Sequence, residues 1–141
     1  MNESYDRDNI FAKILRGELP CIKVYEDDLT LAFMDVMPQS DGHTLVIPKN
    51  PSVNMLDIAP ADAAALIKTV HVVAPAVKQA MQAEGIQIVQ LNGPTAGQTV
   101  FHTHFHIIPR NEGLEMRFHA KEMEDPAVLE RHAGKIRAAL G

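Results

Sequence analysis

Seven histidines occur among 141 residues, and three of them stand at alternate positions: His102, His104 and His106. Random placement would give about 0.02 such triplets, so the row calls for a chemical reason. In a β-strand, alternate side chains share one face about 6.8 Å apart. The other face then carries Phe101, Thr103, Phe105 and Ile107, a side suited to a core. Three aligned imidazoles are hard to satisfy as mere packing. Two chemistries suit them. Three neutral imidazoles can bind zinc, copper or iron and leave an open position, although neighbours on one flat strand converge poorly on a single ion. The other chemistry is attack at phosphorus. A neutral imidazole, with a reference pKa of about 6.5, is a good nucleophile near pH 7. Its neighbours can donate hydrogen bonds to phosphoryl oxygens as charge develops there. His104, with a histidine on either side, profits most.

The residues just upstream favour phosphorus. Asn92-Gly-Pro-Thr-Ala-Gly97-Gln98-Thr99 is a glycine-bearing loop running into the histidine row. Such a loop can bring backbone N–H groups and the Gln98 and Thr99 side chains to an anion. Of the remaining histidines, His71 is expected to be a hydrogen-bonded core residue of a helix. His119 and His132 are expected to be solvated.

These residues must be positioned by regular elements. Asp8 is expected to cap a short helix through Ile10, Phe11, Ile14 and Leu15, ended by Gly17. Residues 22–26 and 29–35 read as two strands joined by an Asp27-Asp28 turn, and 43–47 as a third strand closed by Pro48. Pro60 suits the first turn of a long helix with a stripe at Leu66, Val70, Val73, Val77 and Met81. Pro75 predicts a kink in it and Gly85 its end. Residues 86–91 and 100–108 read as strands four and five. A last helix starts with Asp125 as cap and Pro126 in first position, and its stripe is Leu129, Ala133, Ile136 and Leu140. Clustered strands around one inserted helix argue an α+β fold with an antiparallel sheet.

Composition sets the outer limits. The length suits one domain, spanning 1–141, with a core at about 9–110 and a C-terminal extension whose helix covers about 125–140. Thirteen basic against eighteen acidic residues give a net charge of −5, the wrong sign for gripping DNA or RNA through phosphates. A small phosphorylated ligand remains compatible with an acidic chain. Cys21 is the sole cysteine, so no internal disulfide can form, which fits a reducing, cytoplasmic setting. No apolar run approaches the ~20 residues of a membrane span, so no membrane partner is expected.

The run Gln98-Thr-Val-Phe-His102-Thr-His104-Phe-His106-Ile-Ile108-Pro-Arg110 resembles the signature of the histidine-triad (HIT) family. The likeness extends to Asn9-Ile-Phe-Ala-Lys-Ile14, to Leu31-Ala-Phe-Met-Asp35 and to Gly42-His-Thr-Leu-Val-Ile-Pro-Lys49, covering roughly residues 9–110 in matching order. It implies a five-stranded antiparallel sheet with one long helix and flanking short helices, joined across a homodimer into one continuous sheet. It also implies a nucleotide hydrolase or transferase acting at the α-phosphate of a purine nucleotide, either a nucleoside phosphoramidate or a dinucleoside polyphosphate. By this resemblance His104 is the nucleophile that carries a nucleotidyl intermediate, His102 and His106 orient it and hold phosphate, and His43 supports the triad. Asn92, Gly97, Gln98 and Thr99 match the phosphate side, Asp35 the carboxylate that meets ribose hydroxyls. Phe11, Ile14, Phe33 and Val36 match the base pocket, while their residue types alone suit a core equally.

Two departures stand out. Some bacterial members carry a Cys-x-x-Cys pair on the first helix that helps bind structural zinc; here those positions are Asn9 and Ala12, so no metal is expected, and no organic cofactor. The tail lacks the tryptophan-bearing ending of the phosphoramidase branch, which leaves the leaving group open. Two rival readings are a non-catalytic nucleotide-binding or scaffold protein and a three-histidine metal site.

Overall fold

The computed structural model describes residues 5–113 and 122–141. Helix α1 (Ile10–Leu15) is followed by β1 (Lys23–Glu26), β2 (Thr30–Met34), β3 (Thr44–Pro48), α2 (Pro60–Met81), β4 (Gly85–Val89), a 3-10 turn (Pro94–Ala96), β5 (Phe105–Arg110) and α3 (Pro126–Leu140). The five strands form one antiparallel sheet in the order β1-β2-β3-β5-β4. This is the expected α+β architecture. Among the described residues no helix is long and apolar enough to cross a membrane.

Strands β2 and β3 are buried on both faces, and their alternate residues divide between two cores. Ala32, Met34 and Val46 join Phe105, Ile107 and the stripes of α2 and α3, Leu66, Val70, Val73 and Val77 with Leu129, Ala133 and Ile136. Leu31, Phe33, Leu45 and Ile47 face the other way, against Phe11 of α1. At about 25 cal/mol per Å² of apolar surface, the helix-side core dominates the stability, and the smaller α1 side is left to build the site. Helix α3 is tied to the sheet edge by Arg137, whose Nε donates to Lys23 O at 2.8 Å.

Several local expectations are corrected. Asn9, not Asp8, caps α1: its Oδ1 accepts from Ala12 N at 2.9 Å. Helix α2 ends at Gln82, in the left-handed region at φ 52°, and not at Gly85, which starts β4. Pro75 stands inside α2 on its exposed side. His71 is exposed rather than in the core, while His132 is 6% exposed rather than solvated. Position 132 lies one turn beyond Leu129 and beside Ala133, so the 3.6-residue period puts it on the packed face. His119 lies outside the described residues.

The largest correction concerns the histidine row. Strand β5 begins at Phe105, not at residue 100, and continues through Pro109 to Arg110. Only His106 is therefore on the strand, opposite Leu45 of β3 and on the α1 side of the sheet. The ladder stops because its next groups are engaged elsewhere. Thr103 N donates to Ser52 O at 2.9 Å, and the Pro48 carbonyl at the end of β3 is taken by the His102 ring. Of the residues between the histidines, Phe105 and Ile107 enter the helix-side core as expected. Thr103 is instead clipped to Ser52 through their hydroxyls at 2.6 Å, and Phe101 is half-buried outside both cores.

Candidate active site

The imidazoles of His102, His104 and His106 converge under α1. Phe11 packs edge-on against His104 with ring centroids 5.0 Å apart and against His102 at 6.5 Å. His104 and His106 lie edge to face at 4.9 Å. His43, at the entry to β3, places Nε2 2.9 Å from His106 Nδ1 and 3.4 Å from Asp35 Oδ2.

Each ring's tautomer follows from a backbone partner, because a neutral imidazole has one donor and one acceptor nitrogen. Burial drives His43 down to about 3, and His102 and His106 down to about 4. His104 is lowered by the same cause. All four are therefore neutral at pH 7. The His104 Nδ1 faces the His102 carbonyl at 2.7 Å and must donate to it, which leaves the lone pair on Nε2. His102 Nε2 faces the Pro48 carbonyl at 2.8 Å and donates, so its Nδ1 accepts from the Tyr5 hydroxyl at 2.6 Å. His43 Nδ1 accepts from Gln39 N at 3.0 Å, so its Nε2 donates to His106 Nδ1. His106 is thereby left with its proton on Nε2. Burial raises the Asp35 carboxyl to about 6, against a hydrogen bond from Met37 N that lowers it.

The donor set argues against a metal. Asp35, His43 and His106 offer ligand atoms within 4.8 Å of one another. His43 Nε2, however, carries the proton dictated by Gln39 N, so it has no lone pair to give a cation. Structural zinc on the first helix fits no better: Asn9 caps α1, Ala12 has no donor, and both nitrogens of His102 are engaged. A three-histidine site is equally ill-served, since His104 Nε2 is the single ring nitrogen of the triad left with an unengaged lone pair.

Other residues picked out in the sequence take diverse places. Phe11, Ile14 and Phe33 come together with Leu31, Leu45 and Ile47 under α1; Val36 is 44% exposed and stands apart from that cluster. Gln98 is buried, and its carboxamide is fully engaged by protein: Oε1 accepts from Asn54 Nδ2 and Gly93 N, and Nε2 donates to Val53 O and Val100 O. Asn92 Oδ1 accepts from Met55 N and from Gln90 Nε2, and its Nδ2 donates to Gln90 Oε1. Both amides thus shape the loop that leads to the triad. Gly97 adopts φ 104°, and a Cβ there would lie 3.2 Å from Leu91 Cδ1, so glycine suits that turn. Thr99 is exposed. Tyr5 escaped the sequence reading altogether, because a contact spanning 97 positions leaves no local pattern.

Residues 16–113 match the HIT domain family. An Arabidopsis thaliana protein named as an adenylylsulfatase is 40% identical over 111 residues, 79% of this chain but 56% of that protein, so the chain spans little more than half of that relative. An adenosine 5'-monophosphoramidase of Schizosaccharomyces pombe is 42% identical over 101 residues, covering 72% of this chain and 73% of the yeast protein. Among solved structures, a HIT-like protein of Bartonella henselae described as involved in cell-cycle regulation superposes with a TM-score of 0.90 at 52% identity, over 96% of this chain and 98% of the other.

Proposed function

The chain belongs to the HIT domain family, and from that premise we propose that it is a nucleotide hydrolase or transferase that works through a nucleotidyl adduct on His104. The observation that carries this reading is the 2.7 Å contact from His104 Nδ1 to the His102 carbonyl, which commits the lone pair to Nε2. In the first step Nε2 bonds to the α-phosphorus of a purine nucleotide and the bond from phosphorus to the leaving group breaks. The positive charge that develops on the His104 ring is stabilised by the same carbonyl. Water then attacks phosphorus, the P–N bond breaks, and the nucleoside monophosphate leaves.

The leaving group decides how protons move. A sulfate or a nucleoside phosphate departs as a stable anion and needs no proton. The Arabidopsis relative, named as an adenylylsulfatase, is of that kind. An amine leaving group, as the yeast relative's name implies, must gain one. The amine takes that proton from solvent, and the water that later attacks phosphorus returns one; His106 Nε2–H meanwhile hydrogen-bonds the departing nitrogen, and His43 Nε2–H holds His106 Nδ1 across 2.9 Å. The Asp35 carboxylate also accepts from ribose hydroxyls, and Phe11, Ile14 and Phe33 form the apolar wall for the base. We place the protein in the cytoplasm as a homodimer whose sheets join at the β4 edge, where Ile88 is half exposed.

The test is a turnover panel of a nucleoside phosphoramidate, adenylylsulfate and a diadenosine polyphosphate, with acid quench of labelled substrate and mass spectrometry of the triad peptide. The wild type carries label on His104. His104→Ala forms no adduct and loses several orders of magnitude in rate while keeping its fold. His106→Ala loses about 10²–10³, the usual effect of removing one transition-state donor, whereas His102→Ala, whose ring nitrogens are both engaged by protein, acts by loosening the carbonyl that aims His104. Label on His102 or His106, or wild-type turnover by His104→Ala, would overturn the assignment.

A further inference from the structure

His102 is fully buried, and its ring is held from two sides. Nε2–H donates to the carbonyl of Pro48, the last residue of β3, and Nδ1 accepts from the Tyr5 hydroxyl at 2.6 Å. The second contact joins Tyr5 to a residue 97 positions further along the chain. Tyr5 also meets the His102 ring edge-on at 5.8 Å. Residues 101–104 precede the β5 ladder, so the His102 ring contacts and the Ser52–Thr103 clip do the work a strand would otherwise do. Within that stretch the His102 carbonyl is the group that accepts from His104 Nδ1. Any shift of residue 102 moves the acceptor that aims His104.

We propose that Tyr5 is a positioning residue of the active site, whose hydroxyl clamps His102 so that its carbonyl holds His104 in the tautomer and orientation needed for attack. The proposal rests on the reading of His104 as the attacking group. Without the phenol, His102 Nδ1 becomes a buried acceptor with no donor. The ring then relaxes by rotating or by taking up its proton on Nδ1, which would set the Nε2 lone pair against the Pro48 carbonyl oxygen. Either movement displaces the residue 102 peptide. Tyr5 therefore acts on the chemistry through His102.

Tyr5→Phe removes only the hydroxyl. We expect single-turnover formation of the His104 adduct to slow about tenfold, as misplacement of a reacting group does, with KM within about twofold and a melting midpoint lowered by roughly 2–12 °C, the cost of one unpaired buried acceptor. Nitrogen NMR of the imidazoles supplies the readout that a merely structural role would not move. In the wild type His102 shows Nε2–H with a hydrogen-bonded Nδ1, and His104 shows Nδ1–H alone; in Tyr5→Phe the His104 ring becomes a mixture of tautomers. An adduct rate within twofold of wild type together with an unchanged His104 spectrum overturns the proposal. Wild-type protein that forms no adduct refutes the His104 chemistry instead, and the spectra then decide the clamp by themselves. Should Tyr5→Phe fail to fold, the wild-type spectrum decides: a protonated or unbonded His102 Nδ1 overturns the clamp, and a hydrogen-bonded one supports it.

Discussion

Replacing Gln98 by alanine separates two roles that its position before the triad leaves confounded. The side chain is 3% exposed, and all four of its hydrogen-bonding positions are engaged. Oε1 accepts from Asn54 Nδ2 at 3.1 Å and Gly93 N at 2.8 Å; Nε2 donates to Val53 O at 2.7 Å and Val100 O at 3.0 Å. Truncation strands two donors and two acceptors, each costing about 1–3 kcal/mol if water cannot reach it. Water entering the vacated space restores part of this, so the net loss is about 3–5 kcal/mol. At roughly 2–4 °C per kcal/mol for a domain near this size, the melting midpoint falls by roughly 6–20 °C. Gln98→Glu keeps the volume but turns an acceptor toward the Val53 and Val100 carbonyls and buries a charge, and it should destabilise at least as much. Calorimetric melts run beside nucleoside monophosphate titrations make the decision. A midpoint within about 2 °C of wild type, with nucleotide affinity weakened, would show that the carboxamide serves the ligand and not the loop.

Two further outcomes follow from the charges. The triad histidines and His43 lie below their reference value of 6.5, so the stability of their neutral burial is full above pH 6.5 and is lost as pH falls toward 4. His102 alone, at about 4, contributes about 3 kcal/mol over that window. Asp35 works in the opposite sense, since a carboxyl raised from 3.8 to about 6 stabilises the fold below 3.8 and loses that contribution as pH rises through 6. One carboxyl against four imidazoles leaves the melting midpoint dropping between pH 6.5 and 4, and a flat profile over that range would contradict the buried neutral cluster. Asp35→Asn should weaken nucleoside monophosphate binding by about 1–3 kcal/mol, the loss of a charge-assisted hydrogen bond, and unchanged affinity by calorimetry would remove Asp35 from the ribose site.

Much of the fold was legible because its signals are local. The stripes of α2 and α3, Pro60 and Pro126 at first helical positions, and the Asp125 cap each occupy a few neighbouring residues, and the structure keeps them. Errors arose where a local signal had a competitor a residue or two away. Asn9 outbid Asp8 as cap, and Gln82 took the left-handed turn that glycine was expected to supply. Period alone would have placed His132 inward, and the polar character of the residue type argued the other way.

The sequence by itself determined that three histidines would share one site, fed by a glycine-bearing loop, in an α+β domain of the HIT family. Spacing and residue type are enough for that, although they placed all three on the strand where only His106 stands. Only the tertiary structure decided which nitrogen of each ring carries the proton. Those choices rest on Pro48 O, His102 O, Gln39 N and the Tyr5 hydroxyl. Three of the four are backbone groups, identical at every position of a sequence and distinguished only by where folding brings them. The same holds for Gln98 and Asn92, whose amides look available in the sequence and are engaged in the fold. A hydrogen bond between distant residues is selected by packing in three dimensions, so chemistry that depends on it cannot be read along the chain.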